Sequence, residues 1–362
     1  MRNDRQAQVE GYGTMRELRR PIDFSQLIVR AIGIGLLALV LIGSITTLRA
    51  GRYSSQQWLD FIFFGMAQGA IYALIALGYT MVYGVLRLIN FAHGEVFMSG
   101  AFTAFFLADA LARRGMMERQ PILSLLAVLA LAGAVSTAVA LSVERIAYRP
   151  LRRAPRLVPL ITAIGASFFL QYTFRGLYGS NIRVYPEVAI LRGEVLGIQK
   201  TLIVVFFGAM AMLALLYAFI QGTKTGRAIR AVSEDLETAA LMGVDVNRTI
   251  ATTFAVGGVM AGVAGVLYAL IFKQVNFFMG FVPGIKAFTA AVLGGIGNVP
   301  GAAVGGLFLG IFESIGPSLF LDGLGIPAAH QLKDVIAFTM LVLILIFRPT
   351  GILGERLATK RA

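Results

Sequence analysis

The chain has 362 residues, 57% of them hydrophobic and only 14% charged, against about 25% charged in an ordinary soluble domain, which excludes a water-soluble globule. It has no cysteine and two histidines, His93 and His330, so disulfides, thiolate metal sites and cysteine nucleophiles are excluded and metal chemistry has few imidazoles to work with. The net charge of +13 does not indicate nucleic acid, because the basic residues fall in short loops between apolar runs, where they orient a membrane protein.

Residues 1–26 are polar and of mixed charge and read as a cytoplasmic tail. The following run, LIVRAIGIGLLALVLIGSITTL, is too long for a signal-peptide core and has no clear small-x-small cleavage site after it, so it is a first span. Further apolar stretches occupy about 57–85, 90–112, 122–147, 158–178, 200–220, 249–271, 283–297, 300–316 and 332–347. At about 1.5 Å of rise per residue, a run of about 20 residues crosses a hydrocarbon core of about 30 Å. The expectation is an all-α polytopic membrane helix bundle of about ten helices, some of them short, broken or re-entrant. The transmembrane domain covers residues 27–348, and a second cytoplasmic tail covers 349–362.

Lysine and arginine set the orientation. The loop YRPLRRAPR holds Arg149, Arg152, Arg153 and Arg156 without an acid, and the tail after Phe347 holds Arg348, Arg356, Lys360 and Arg361 against Glu355. Both belong in the cytoplasm. Counting spans from these two points places both termini and the loop 221–248 inside, and residues 179–199 outside. The arginines of RRGMMER, residues 113–119, then fall outside, against the rule. A re-entrant segment between 57 and 112, permitted by Gly65, Gly69, Gly78 and Gly84, would relieve the conflict.

Glycine pairs at four-residue spacing, Gly65 with Gly69, Gly258 with Gly262, Gly301 with Gly305 and Gly306 with Gly310, predict close helix contacts in a compact bundle. Residues 290–310, AAVLGGIGNVPGAAVGGLFLG, differ in kind. Gly294, Gly295 and Gly297 precede Asn298 and Pro300, so a helix should stop near 297 and another begin after Pro300. Such a break either borders a transport pathway or is a plain tight hairpin.

Three polar residues, Asn90, His93 and Glu95, open the span in RLINFAHGEVFMSGAF. A carboxylate at mid-membrane costs about 3 kcal/mol on insertion scales and faces a cavity or a partner; the alternative is interfacial, with Asn90 as helix cap and Glu95 at the headgroups. Lys286 and Thr289 form a second candidate pathway pair, although a lysine there more commonly snorkels outward. Glu313 and Arg175, near span ends, read as interfacial anchors.

The segment SEDLETAALMGVD, residues 233–245, is acidic and helix-favouring. It predicts a helix over 233–243 with Ser233 as N-cap, Glu234 and Asp235 in the first turn and Gly243 closing the far end. Leu236, Ala239, Ala240 and Gly243 follow i, i+3, i+4, i+7 spacing, a small smooth face suited to close approach by another protein; a solvated connector helix is the plainer reading. The chain has no G-x-x-x-x-G-K-[ST] loop, so nucleotide-driven transport requires a separate hydrolysing protein.

ETAALMG resembles the EAA loop of ABC-importer permeases, with Glu237, Ala239, Ala240 and Gly243 at the family spacing and Thr238 in place of the first alanine. YALIALGYTMVYGVLRLINFAHGEVFMSGAF, LITAIGASFFLQ, TGRAIRAVSEDLETAALMGVD, KAFTAAVLGGIGNVPGAAVGG and FRPTGILGE resemble the membrane-spanning subunit of the high-affinity branched-chain amino acid importers, over about residues 57–355. The resemblance implies a permease in the inner membrane that binds no cofactor itself. Its partners would be a second, related permease subunit, two ATPase subunits carrying ATP and Mg, an extracytoplasmic solute-binding protein and membrane lipid. Leu236, Glu237, Ala239, Ala240 and Gly243 would sit in the ATPase groove, and Arg183, Glu187, Arg192 and Glu194 would offer docking charges outside. The broader family also carries urea, short amides and other amino acids. A self-sufficient channel or ion-coupled carrier, drawing on Glu95 and the broken helix, is the rival class; a membrane enzyme lacks a nucleophile or metal set at useful spacing.

Overall fold

The computed structural model describes residues 24–354, apart from 153, 156 and 349. Most of the two expected tails, with Arg153, Arg156, Glu355, Arg356, Lys360 and Arg361, lies outside the described residues. Among the described residues, nine helices are long and apolar enough to cross a membrane, and a tenth, shorter apolar helix covers Phe281–Gly294. The chain is a multi-pass, all-α helix bundle.

In chain order the helices are α1 (Phe24–Ala50), α2 (Ser55–Leu86), α3 (His93–Arg113), the short α4 (Met116–Arg119), α5 (Pro121–Val143) and α6 (Leu157–Tyr178). They are followed by α7 (Lys200–Gly222), α8 (Lys224–Glu234), α9 (Leu236–Leu241), α10 (Val246–Phe272), α11 (Phe281–Gly294), α12 (Val299–Gly316) and α13 (Lys333–Phe347). Two small antiparallel ladders complete the fold, β1 (Arg183–Val184) with β4 (Gln274–Val275) and β2 (Glu194–Val195) with β3 (Ile198–Gln199). The ladders mark one end of the bundle, here the hairpin face; α8 and α9 mark the other, the linker face.

Helix α2 is the axis. Its 32 residues extend about 48 Å at 1.5 Å each, more than a bilayer core. Residues from Ala67 to Val82 are buried on all sides, as a helix apolar all round should be. Ser54 starts it with a capping box: its hydroxyl accepts from Gln57 N, and the Gln57 side chain accepts from Ser54 N. Helix α12 lies antiparallel against it, and every predicted glycine pair lies at a helix contact. A Cβ at Gly65 would lie 2.8 Å from the Ile311 Cα, one at Gly69 2.9 Å from the Gly306 carbonyl, and one at Gly258 2.8 Å from the Thr137 Cα. Gly301 and Gly305 pack on Gly294 and Ala290 in the same way. Lipid offers no hydrophobic drive for association, so these contacts depend on close van der Waals packing.

The break after α11 comes three residues earlier than expected, at Gly294, because Gly295 and Gly297 take φ of +105° and +97°. Asn298 caps α12, its side chain accepting from Gly301 N at 2.8 Å, with Pro300 in the first turn. The freed carbonyls of Leu293 and Gly294 accept from Ile352 N and Leu353 N at 2.8 and 3.1 Å. A tight turn sealed by the segment after α13 is therefore what the glycines build.

A fold-back lies within 57–112, but it leaves the arginines of RRGMMER at the same end as residues 179–199. Helix α2 is unbroken. It is the loop 87–92 that folds back, so that His93 packs against Gly78, eight residues or about 12 Å before the end of α2. Helices α3 and α11 both begin there, with Gly94 against Gly280 and Gly284. The RRGMMER loop stays on the hairpin face, where Arg113 pairs with Asp109 at 2.8 Å and Glu118 with Arg192 at 3.7 Å.

Candidate functional site

At the linker face the acidic segment forms two helices, not one over 233–243. Asp235, not Ser233, is the N-cap: its carboxylate accepts from Glu237 N and Thr238 N at 2.9 Å each. Those backbone donors, Thr238 first, hold its carboxyl below the ordinary range. Ser233 lies in the last turn of α8, its hydroxyl donating back to the Arg230 carbonyl. Gly243, at φ +85°, closes α9 as expected. Leu236, Glu237, Ala240 and Gly243 are exposed, but Ala239 is 5% exposed and faces the chain's own interior. The predicted smooth face is therefore split. Leu241 and Met242, 87% and 80% exposed against 42% for Leu236, are the most exposed large apolar residues here, and they fall outside the spaced positions 236, 239, 240 and 243.

Helix α8 is amphipathic, with Ile229 and Val232 buried and Thr223 capping it by accepting from Gly226 N at 2.9 Å. At its far end the Ser233 carbonyl accepts from the Arg87 guanidinium at 2.7 Å. The linker helices are thus fastened to the end of the central helix.

Asn90, His93 and Glu95 come together at the fold-back after α2, all buried. Asn90 does not cap α3; Ala92 holds that position, and the Asn90 side chain accepts from Ala92 N and the Tyr148 hydroxyl at 3.1 Å each. The His93 ring meets Tyr79 edge-on, centroids 5.0 Å apart. Glu95 is not interfacial: its Oε1 accepts from Gln171 Nε2 at 2.6 Å and Ser167 Oγ at 3.3 Å. Both donors lie on α6, whose buried residues Pro159, Ala163, Ser167, Gln171 and Phe174 form one stripe. Glu95 therefore clips a peripheral helix to the bundle.

Lys286 does not snorkel. It is buried, and its Nζ donates to Glu313 Oε1 at 2.5 Å and Asp334 Oδ1 at 2.6 Å. Glu313 is likewise buried rather than an interfacial anchor, and its Oε1 also accepts from Gln68 Nε2 at 3.0 Å and the Tyr72 hydroxyl at 3.4 Å. Among the described residues, the Thr289 hydroxyl bonds within its helix, to the Ile285 carbonyl. Four elements, α2, α11, α12 and α13, thus meet at one lysine, a cluster that spacing along the chain did not reveal because its members are up to 266 positions apart (68 to 334). Arg175 remains exposed at the end of α6, over the rings of Phe277 and Tyr172.

On the hairpin face Glu187 pairs with Lys273 and, at 3.5 Å, Arg192. The Lys273 hydrogen bond and charge hold its carboxyl below the ordinary range. Arg183 and Glu194 sit exposed in the two ladders. At the tip of the second ladder Leu196 is 91% exposed at φ +54°.

Residues 61–345 match the family described as branched-chain amino acid transport system / permease component. The chain is 46% identical over 301 residues to the high-affinity branched-chain amino acid transport system permease protein BraD of Pseudomonas aeruginosa, covering 80% of this chain and 94% of that one. It is 44% identical over 316 residues to the corresponding permease protein LivH of Escherichia coli, covering 83% and 98%. A more distant match, 29% over 193 residues and about half of each chain, is the probable permease protein LivM of Methanocaldococcus jannaschii. No solved structure matches the chain. With the match covering every described helix except α1 and a few end residues of α2 and α13, the chain belongs to the family of branched-chain amino acid permease components, transport proteins rather than enzymes.

Proposed function

We propose that the chain is the membrane-spanning subunit of an ATP-driven importer that passes leucine, isoleucine and valine across the bacterial inner membrane. In this reading the linker face is cytoplasmic, with both termini, and the hairpin face receives an extracytoplasmic binding protein. Two ATPase subunits, which carry the ATP and Mg, grip α9, and a second permease of the LivM kind completes the pathway. One observation carries the coupling: a short, capped helix presents Leu241 and Met242 beyond a small Ala240–Gly243 surface, while Arg87 fastens its neighbour to the central helix. A push on α9 then reaches α2, and with it the whole glycine-packed bundle. Arg149 and Arg152 at the same end agree with a cytoplasmic assignment.

The test is reconstitution with both permeases, the ATPase and the binding protein. Leucine uptake should require ATP, and Gly243→Arg should abolish co-purification of the ATPase while the permease still inserts. Leucine flux through the permease without any ATPase would reject this reading in favour of a self-sufficient carrier.

A further inference from the structure

The Lys286 cluster has an unbalanced side. Lys286 is one cation between two carboxylates, Glu313 and Asp334. Its own ammonium, Gln68 and Tyr72 all converge on Glu313 Oε1, and Glu313 Oε2, buried, has no partner among the described residues. A buried carboxylate oxygen without a donor is costly, and inside a membrane protein such a group faces a cavity or a partner.

Here it has a cavity. A space of about 460 Å³ lies among the hairpin-face ends of α2, α7, α12 and α13, with Glu313 and Gln68 lining its inner end. That falls within the roughly 300–1,000 Å³ of small-molecule sites. Its walls include the apolar Phe61, Phe64, Leu202 and Pro317, and its polar lining adds Lys333 and His330 together with the carboxylates of Asp60 and Glu194. Lys333 forms no ion pair among the described residues. An unsatisfied carboxylate oxygen at the inner end, apolar walls, and a lysine that lies over the Phe272 ring at 5.9 Å but has no carboxylate partner among the described residues complement a small zwitterion with an aliphatic side chain; Asp60 and Glu194 add further acceptors for its ammonium.

We propose that this cavity holds the incoming amino acid on its way into the bundle, the α-ammonium donating to the Glu313 carboxylate, the carboxylate turned toward Lys333 and the branched side chain against Phe61, Phe64 and Leu202. The assignment rests on the importer reading above and adds to it a recognition site within the permease itself. The ammonium supplies the hydrogen bonds that Oε2 lacks and offsets the cluster's excess negative charge. The buried Gln68 and Tyr72 hold the carboxylate in place before the substrate arrives.

The chain contains no cysteine, so Ser314→Cys, on the cavity lining, places a single thiol there. In the full complex, with cysteine-free partners, in proteoliposomes, its modification by an impermeant thiol reagent is followed against added free leucine, 4-methyl-2-oxopentanoate, which lacks the ammonium group, or sodium chloride. Leucine should slow labelling, and the other two should not. Adding Glu313→Gln should raise the leucine concentration for half-protection roughly tenfold or more, the loss of a charge-assisted hydrogen bond. Should that double variant fail to assemble, the contrast between leucine and its oxo analogue in Ser314→Cys alone decides the question.

Absence of labelling, absence of leucine protection, equal protection by the oxo acid, or protection undiminished by Glu313→Gln would overturn the proposal. Equal protection by sodium chloride would make this an inorganic-cation site and overturn it too. ATP-driven leucine uptake by the unmodified complex is measured in parallel; its absence would strike the importer reading instead.

Discussion

The Arg87 guanidinium donates to the Ser233 carbonyl at 2.7 Å, joining residues 146 positions apart at the end of the central helix. Arg87 itself sits at φ +55°, a left-handed conformation that costs a non-glycine residue about 1–2 kcal/mol. Arg87→Ala should therefore leave ATPase binding intact and reduce leucine uptake per ATP hydrolysed several-fold. Arg87→Gly should show the same transport defect with a higher melting temperature than the alanine variant, because it loses the contact and relieves the strain. Normal coupling in both would mean that the contact carries no force.

The exposed apolar pair at the end of α9 gives a sharper docking test than the glycine. Leu241→Asp with Met242→Asp should abolish co-purification of the ATPase without lowering permease stability, since both side chains project from the bundle. Ala239→Asp should instead destabilise the permease, because that side chain is buried and an unpaired buried charge is expensive. Gly243→Asn should be tolerated, as asparagine accepts a left-handed backbone.

Glycine replacements should separate by position. At Gly310 a Cβ would run into the backbone of Gly69 on α2, whereas at Gly165 it would meet nothing within 4 Å. Gly310→Ala should cost about 1–3 kcal/mol as overpacking, read as a lower melting temperature in detergent. Gly165→Ala should be neutral or slightly stabilising, by removing a helix-interior glycine.

Removing the cation from the buried cluster should cost more than removing the cluster. Lys286→Met leaves Glu313 buried without its ion-pair partner and should destabilise by about 3–5 kcal/mol. Lys286→Met with Glu313→Gln should recover a large part of that loss in the same melting assay. A double variant as unstable as the single one would show that packing, not charge, holds this region.

The Glu187–Lys273 pair predicts a weak pH effect. The Glu187 carboxyl is held below its ordinary value by Lys273, so its contribution is present above the unfolded carboxylate pKa and is lost as pH falls through the lower folded one. Both side chains are about half exposed, so the contribution should stay under about 1 kcal/mol. Lys273→Gln should shift the melting temperature slightly at pH 7, and the difference from the parent should vanish below the carboxylate range.

Much of the architecture was legible in the residues. The spans are long apolar runs with a fixed rise per residue, so their number and limits follow from hydropathy. The glycine pairs predicted close contacts, and the turn at Gly294–Pro300 was readable because glycine and proline constrain the backbone locally. Helix starts were less legible: Asp235 takes the cap expected of Ser233, since both residue types serve and only the path of α8 over the end of α2 decides which one stops the helix.

What the sequence by itself determined is which segments are helical, which of them can span a bilayer, which family they belong to and where the chain must bend. Partnership belonged to the tertiary structure. Whether Lys286 reaches for water or for Glu313, whether Glu95 meets headgroups or Gln171, and whether Ala239 faces outward or inward all depend on which helix lies alongside. The physical reason is range: hydropathy and backbone conformation act over a few residues, whereas an ion pair or a helix contact joins groups from anywhere in the chain, and no local pattern records the neighbour.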